Sequence, residues 1–131
     1  SNLVTIHLKT GIGRLSAYCG AVSAGCGAGA GICYLYGGKC AEISQTIVNA
    51  LAINSGVICD GAKSSCAAKI ASSVEAGILG FEMTRNGSRF CGGDGILDDC
   101  VESTIDNVGE IARIGMRETD EEIIRLMIKK C

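Results

Sequence analysis

SGVICDGAKSSCAAKIASSVEAGILGFEM, residues 55–83, decides how this chain is read. Asn54, Ser55 and Gly56 stop whatever precedes it, a short apolar Val57-Ile58 delivers Cys59, and Asp60-Gly61 breaks the chain again. A long run of small residues follows without a proline. It predicts a helix from about Ala62 to Thr84, closed by Asn86-Gly87, a pair suited to a left-handed C-cap. A helix built from Ala, Ser and Gly buries little surface by itself and persists only where neighbouring backbones approach closely.

Working outward, the same logic applies upstream. A helix starting between Ile12 and Ser16 and ending at Tyr36, before Gly37-Gly38, carries Gly20, Gly25, Gly27, Gly29 and Gly31, each costing about 1 kcal/mol against Ala in isolation. Lys39–Asn54 repeats Ile43, Ile47, Val48, Leu51 and Ala52 at helical spacing. Downstream, SRFCGGD (88–94) reads as a loop. A fourth helix, about Ile96–Ile114, aligns Leu97, Val101, Ile105, Val108 and Ile111, with Asp98 and Asp99 in its first turn. A fifth opens on a capping box, Thr119 with Glu122, and presents Ile123, Ile124, Met127 and Ile128 to the core. Leu3–Lys9 alternates Val4, Ile6 and Leu8 against Thr5, His7 and Lys9, the period of a strand with one buried face. The expected fold is therefore all-α: a compact bundle of about five helices with an extended N-terminal edge segment. His7 falls on the solvated side of that edge.

The chain has 131 residues, enough for one domain with its own core. Twelve basic and fourteen acidic residues leave a net charge of −2, with no Lys/Arg stripe, so nothing marks a nucleic-acid partner. Residues 15–38 carry no charge and would be long enough to span a bilayer, yet they are mostly Ala, Gly, Ser and Cys, which insert poorly. A buried central helix is the expectation, with no membrane. The GCGAGAG run lacks both the G-x-G-x-x-G register and a Walker lysine, which argues against nucleotide binding. A hydrolase triad has only His7 to draw on. A pyridoxal phosphate lyase could use Lys63 or Lys69 for a Schiff base, but no phosphate-binding loop accompanies them.

Nine cysteines, an odd count in a helical chain, fit a reducing cytoplasm better than a secreted disulfide framework, and point to metal binding or catalysis. Cys19, Cys26, Cys33 and Cys40 recur every seven residues. On one unbroken helix that spacing is about 10 Å along the axis, so at most one of Cys19, Cys26 and Cys33 can serve a compact cluster. Free cysteine is also an ordinary small buried hydrophobe, the reading given to Cys26, Cys33 and Cys40. Cys59 and Cys66 differ, because a turn at Gly61 lets both face one pocket at a helix N-terminus, where thiolates are stabilised. C-x6-C is not a standard zinc or ferredoxin spacing, and spacing alone leaves a metal site and a plain packed pair both open.

RLSAYCGAVSAGCGAGAG, NSGVICDGAKSSCAAKIASSVEAGILG, GGDGI and TIDNVGEIARIGM with TDEEII closely resemble the C-terminal part of the L-cysteine desulfidase family, which is related to the iron–sulfur L-serine dehydratases. The resemblance runs from Leu3 onward. It implies a [4Fe–4S] cluster held by Cys19, Cys59 and Cys66, and breakdown of L-cysteine to pyruvate, ammonia and hydrogen sulfide. L-Serine is the alternative substrate, and a non-enzymatic zinc-binding or assembly domain the alternative role. Backbone N–H groups near Gly61–Lys63, with Lys63, Ser64 and Ser65, are expected to hold the substrate carboxylate. Lys63 reads otherwise as a solvated first-turn lysine. Asp94 is either a substrate-shell residue or the N-cap of the fourth helix, and Cys131 either a further ligand or a free terminal thiol. Family members are several hundred residues long, so residues 1–131 are expected to be the C-terminal cluster-binding domain of a longer protein. The larger N-terminal portion would be its partner and the source of the catalytic base, and a homo-oligomer is compatible with the pattern.

Overall fold

The computed structural model describes residues 1–129 and is all-α. Six helices follow in order: α1 Asn2–Ile12, α2 Gly20–Leu35, α3 Cys40–Asn54, α4 Cys66–Arg85, α5 Val101–Glu110 and α6 Arg117–Ile128. A π-helical turn, Ile111–Gly115, joins α5 to α6, with the Met116 N–H reaching back five residues to Ile111 O at 2.8 Å. Cys131 lies outside the described residues.

The first correction concerns the N-terminus, where the expected strand is helix α1. Val4 and Leu8 belong to both a two-residue and a four-residue repeat, so the alternation was ambiguous. Ile6 and Ile12 break the tie: Ile12 is buried with Leu8, while Ile6 is 62% exposed.

The small residues do what a helix without large side chains must. At the α2–α4 contact, Gly25 meets the Ser73 backbone and Gly29 the Gly77 backbone, where an added Cβ on Gly29 would lie 2.5 Å from Gly77 O. The paired numbers rise together along both helices, so α2 and α4 run parallel. Helix α3 runs the other way against α4: Thr46 meets Thr84, Asn49 bonds Gly80 O at 3.2 Å, and Asn54 bonds Ser73 Oγ at 2.8 Å. Asn49 is fully buried, and its amide oxygen also accepts the Phe90 N–H at 3.0 Å. Helix α1 lies antiparallel to α2, with Thr5 bonded to Ser23 O, and beside α5, where Gly11 meets Gly109. Leu8, Ile12, Val22, Cys26, Leu51, Ile105 and Val108 form the core between α1, α2, α3 and α5.

Three further expectations change. Residues 96–100 are not helical. The Asp98 carboxylate accepts the Cys100 N–H at 2.9 Å, and Thr104 Oγ1 bonds both the N–H and the carbonyl of Asp98, local bonds that compete with a helical turn. The fourth helix therefore starts at Val101, with Cys100 rather than Asp94 as its N-cap, and Asp98 and Asp99 precede it. Helix α6 begins at Arg117, which puts Thr119 inside it and removes the expected capping box. The α6 stripe is not core either: Ile123 is half-buried, and Ile124, Met127 and Ile128 are exposed. Among the described residues, no helix is long and apolar enough to cross a membrane.

Candidate functional site

The site is assembled where two segments without helix meet. Ser16 anchors the first: its hydroxyl donates to Ala112 O at 2.7 Å and accepts the Tyr18 N–H at 3.0 Å. The second, residues 57–59, leaves α3 and lies antiparallel to it. Tyr18 and Ile58 form a single bridge; the Cys19 N–H donates to Val57 O at 3.1 Å, and the Cys59 N–H donates to Ala17 O at 2.5 Å. Successive side chains on an extended ladder alternate faces, and opposed residues share one. Tyr18 and Ile58 therefore point one way and Cys19 and Cys59 the other, as diagonal neighbours roughly 7–8 Å apart.

Cys66 arrives from α4. It is the first residue of that helix, as Cys19 is the N-cap of α2. From the Gly25–Ser73 contact, counting back at 1.5 Å per residue puts Cys19 about 9 Å and Cys66 about 10 Å along their axes, at the same end of the parallel pair. Two of the three expected ligands thus sit at helix N-termini. The Cys66 sulfur accepts the Lys63 N–H at 3.5 Å and faces Gly61 O at 3.7 Å. The turn between Cys59 and Cys66 needs Gly61, whose φ is 93°.

All three thiols are free; Cys19 is buried and Cys59 and Cys66 are half-buried. Cys26 and Cys33 are buried further along α2, and Cys40 opens α3 at the opposite end of the bundle. Burial pushes the Cys26 thiol up to about 12. Among the described residues, no three His, Cys, Asp or Glu side chains converge on one point as ligands of a single ion would. A cubane makes a different demand, because each thiolate binds its own iron and the sulfurs are spread around the cluster. An all-thiol set of this kind suits iron–sulfur chemistry or zinc.

Charge beside the cysteines comes from Asp60, Lys63 and Lys69. Lys63 pairs with one Asp60 oxygen, and Lys69 Nζ bonds the other at 2.9 Å and also Ile58 O at 2.7 Å. The hydrogen bonds from Lys63 and then Lys69 hold the Asp60 carboxyl down at about 2. Lys69 is shifted upward, first by its bond to Asp60, then by the Asp60 charge and by the nearby Cys19 and Cys66 sulfurs. Lys69 was read from sequence only as a Schiff-base alternative. The sequence offers for it only its place three residues after Cys66 and an aspartate next to Cys59. A cleft of about 580 Å³ opens over this group, bounded by Ile58, Asp60, Lys63 and Lys69 on one side and by Ile123, Leu126 and Met127 of α6 on the other.

Because α4 starts at Cys66 and not Ala62, Gly61–Ser65 form the turn before the helix rather than its first turn. Lys63 is ion-paired, not simply solvated, and Ser64 and Ser65 are exposed beside it. Asp94 lies in a separate turn, where its carboxylate accepts the Cys91 N–H at 3.1 Å, and it does not line the cleft. His7, on α1, pairs with Glu102 at 2.6 Å on the surface. Tyr18 Oη, next to Cys19, is buried with no hydrogen-bond partner among the described residues, and burial raises its pKa.

Among relatives are UPF0597 proteins of Desulfitobacterium hafniense, 61% identical over the whole chain, Lachnoclostridium phytofermentans, 59% identical over 98% of it, and Treponema denticola, 52% identical over 98%. The chain spans about 30% of the length of these curated relatives. No solved structure matches it. A sequence model described as serine dehydratase alpha chain matches residues 1–125, and the chain belongs to that family.

Proposed function

We propose that this chain is the cluster-holding part of an iron–sulfur-dependent lyase that carries out α,β-elimination on a small amino acid. Cys19, Cys59 and Cys66 are the ligands of a [4Fe–4S] cluster, and L-cysteine is the substrate, giving pyruvate, ammonia and hydrogen sulfide. The single observation that supports the reading best is that three free thiols lie toward one end of the bundle, two at helix N-termini and two on one face of the Tyr18–Ile58 ladder.

Cys19, Cys59 and Cys66 would hold the cluster, which would supply Lewis-acid chemistry toward the substrate's leaving group or carboxylate. The remaining work falls to side chains. A carboxylate entering the cleft meets the Lys63 ammonium, and Ser64 and Ser65, exposed on the Gly61–Ser65 turn beside the cleft, are the further donors assigned to it. Asp60 pairs with both lysines and holds their ammonium groups in place. Ile123, Leu126 and Met127 of α6 give the cleft a non-polar wall on that side. Elimination removes the α-proton to a base and expels the β-thiol as hydrosulfide. The enamine left behind tautomerises, and water converts it to pyruvate and ammonia. The base is assigned to the portion of the longer protein outside this chain; the Asp94 carboxylate closes its own turn away from the cleft lining.

L-Serine is the second reading, supported by the serine dehydratase alpha chain match. The test is an anaerobic assay of the full-length protein, following sulfide and pyruvate from L-cysteine and pyruvate from L-serine. Sulfide release at the higher kcat/KM supports the desulfidase, preferential pyruvate from L-serine supports the dehydratase, and neither product, with zinc bound instead, supports a non-enzymatic binding domain.

A further inference from the structure

Cys59 lies on the connection between α3 and α4, residues 55–65. Two ladder bonds hold its backbone at Val57 and Cys59, and Lys63–Ser65 are bonded to the first turn of α4, with the Cys66 sulfur against the Lys63 N–H and Gly61 O, but the Cys59 backbone itself makes no bond to α4. Beyond that N–H the chain turns at once through Gly61. A cluster shared by Cys59 and Cys66 needs a fixed distance between them, and the ladder fixes Cys59 only to Cys19.

Lys69 supplies the missing link. It lies three residues after Cys66 on α4, on the same face of that helix. Its ammonium donates to Ile58 O at 2.7 Å and to Asp60 Oδ1 at 2.9 Å, the residues on either side of Cys59. Its side chain is 26% exposed, against 44% for Lys63, and the bond to Asp60 is charge-assisted. Lys63 grips only Asp60, so it can hold that side chain but not the carbonyl before Cys59. We propose that Lys69 is a positioning residue that staples the Ile58–Asp60 segment to the first turns of α4 and so sets the spacing of Cys59 and Cys66. The inference rests on the cluster reading above, and it assigns Lys69 to holding the ligands rather than to touching substrate.

The test uses the full-length protein with its cluster assembled anaerobically. Cluster loss to an iron chelator is followed by visible absorption in the wild type and in Lys69→Met, Lys69→Gln and Lys63→Met, with thermal unfolding of each apo-protein as a control on folding. Residues that orient metal ligands typically change metal retention about 10-fold or more. Lys69→Met and Lys69→Gln are expected to lose the cluster at least about 10-fold faster with little change in apo-protein unfolding, while Lys63→Met stays within about 2-fold of wild type. The Gln variant keeps most of the stem, so a folding failure of the Met variant alone does not decide the matter. A cluster retained at the wild-type rate in both Lys69 variants overturns the staple, all the more so if KM rises, since that would make Lys69 a substrate ligand. A wild type that assembles no cluster overturns the cluster reading itself, and the two failures are thereby distinguished.

Discussion

Cys19 and Cys66 stand at the N-terminal ends of two parallel helices whose register is set by glycine. Gly25 against Ser73 and Gly29 against Gly77 allow α2 and α4 to touch backbone to backbone, and the two thiols lie within about one residue's rise of each other from that contact. The position of the site is thus a consequence of packing two turns away. The same contact explains why a glycine-rich α2 is tolerated, since each missing Cβ admits a neighbouring backbone.

That dependence is testable by adding a methyl group. Gly29→Ala and Gly77→Ala each push a Cβ into backbone that cannot yield without separating the helices. Each is expected to lower stability by about 3 kcal/mol in denaturant unfolding. Gly56→Ala, at a position with no neighbour within 4 Å, is expected to change it by less than about 0.5 kcal/mol. Equal effects at all three positions would remove the glycine contact as the determinant of register.

Tyr18 offers a test of opposite sign. Its hydroxyl is buried without a partner among the described residues. Tyr18→Phe keeps the ring in the core and deletes the unsatisfied group, so the apo-protein is expected to be unchanged or up to about 1 kcal/mol more stable by thermal unfolding. A loss of stability would mean that the hydroxyl is bonded in solution.

Thiol chemistry separates the outer cysteines from the packed ones. Cys100 is exposed at the N-cap of α5, and the N–H groups of Ser103 and Glu102 lower its pKa. Its thiolate fraction therefore develops at a lower pH than that of an ordinary cysteine. Cys26, held up at about 12 by burial, stays protonated across the working range. Alkylation with iodoacetamide, followed by peptide mass spectrometry, is expected to label Cys100 with a pH midpoint below the usual thiol range and to leave Cys26 unlabelled until the chain unfolds. Labelling of Cys26 in the folded protein would contradict its burial.

The sequence carried the four inner helices through periodicity and the absence of proline, and it isolated Cys59 and Cys66 through the break at Gly61. Two kinds of information were missing from it. Val4 and Leu8 satisfy a strand and a helix repeat alike, and only the contacts of α1 with α2 and α5 decide between them. The α6 stripe looks like core because apolar spacing records amphipathicity and not what lies opposite; Ile123 and Met127 face the open cleft by Ile58 and Gly61, and Ile124 and Ile128 stay exposed. Lys69 enters the sequence reading only as a Schiff-base candidate for a related reason. A lysine on a helix reads as a solvated side chain until the returning loop brings Ile58 O and Asp60 within its reach.

The central claim is that Cys19, Cys59 and Cys66 hold one iron–sulfur cluster, and anaerobic iron and sulfide analysis of the full-length protein, with its visible spectrum, tests it most directly. The wild type is expected to contain about four iron and four sulfide per chain with a brown absorption. Cys59→Ser should lose them, and Cys33→Ser, far along α2, should keep them. A protein that binds only zinc or no metal under these conditions, or a Cys59→Ser variant that retains the wild-type iron and spectrum, would contradict the account.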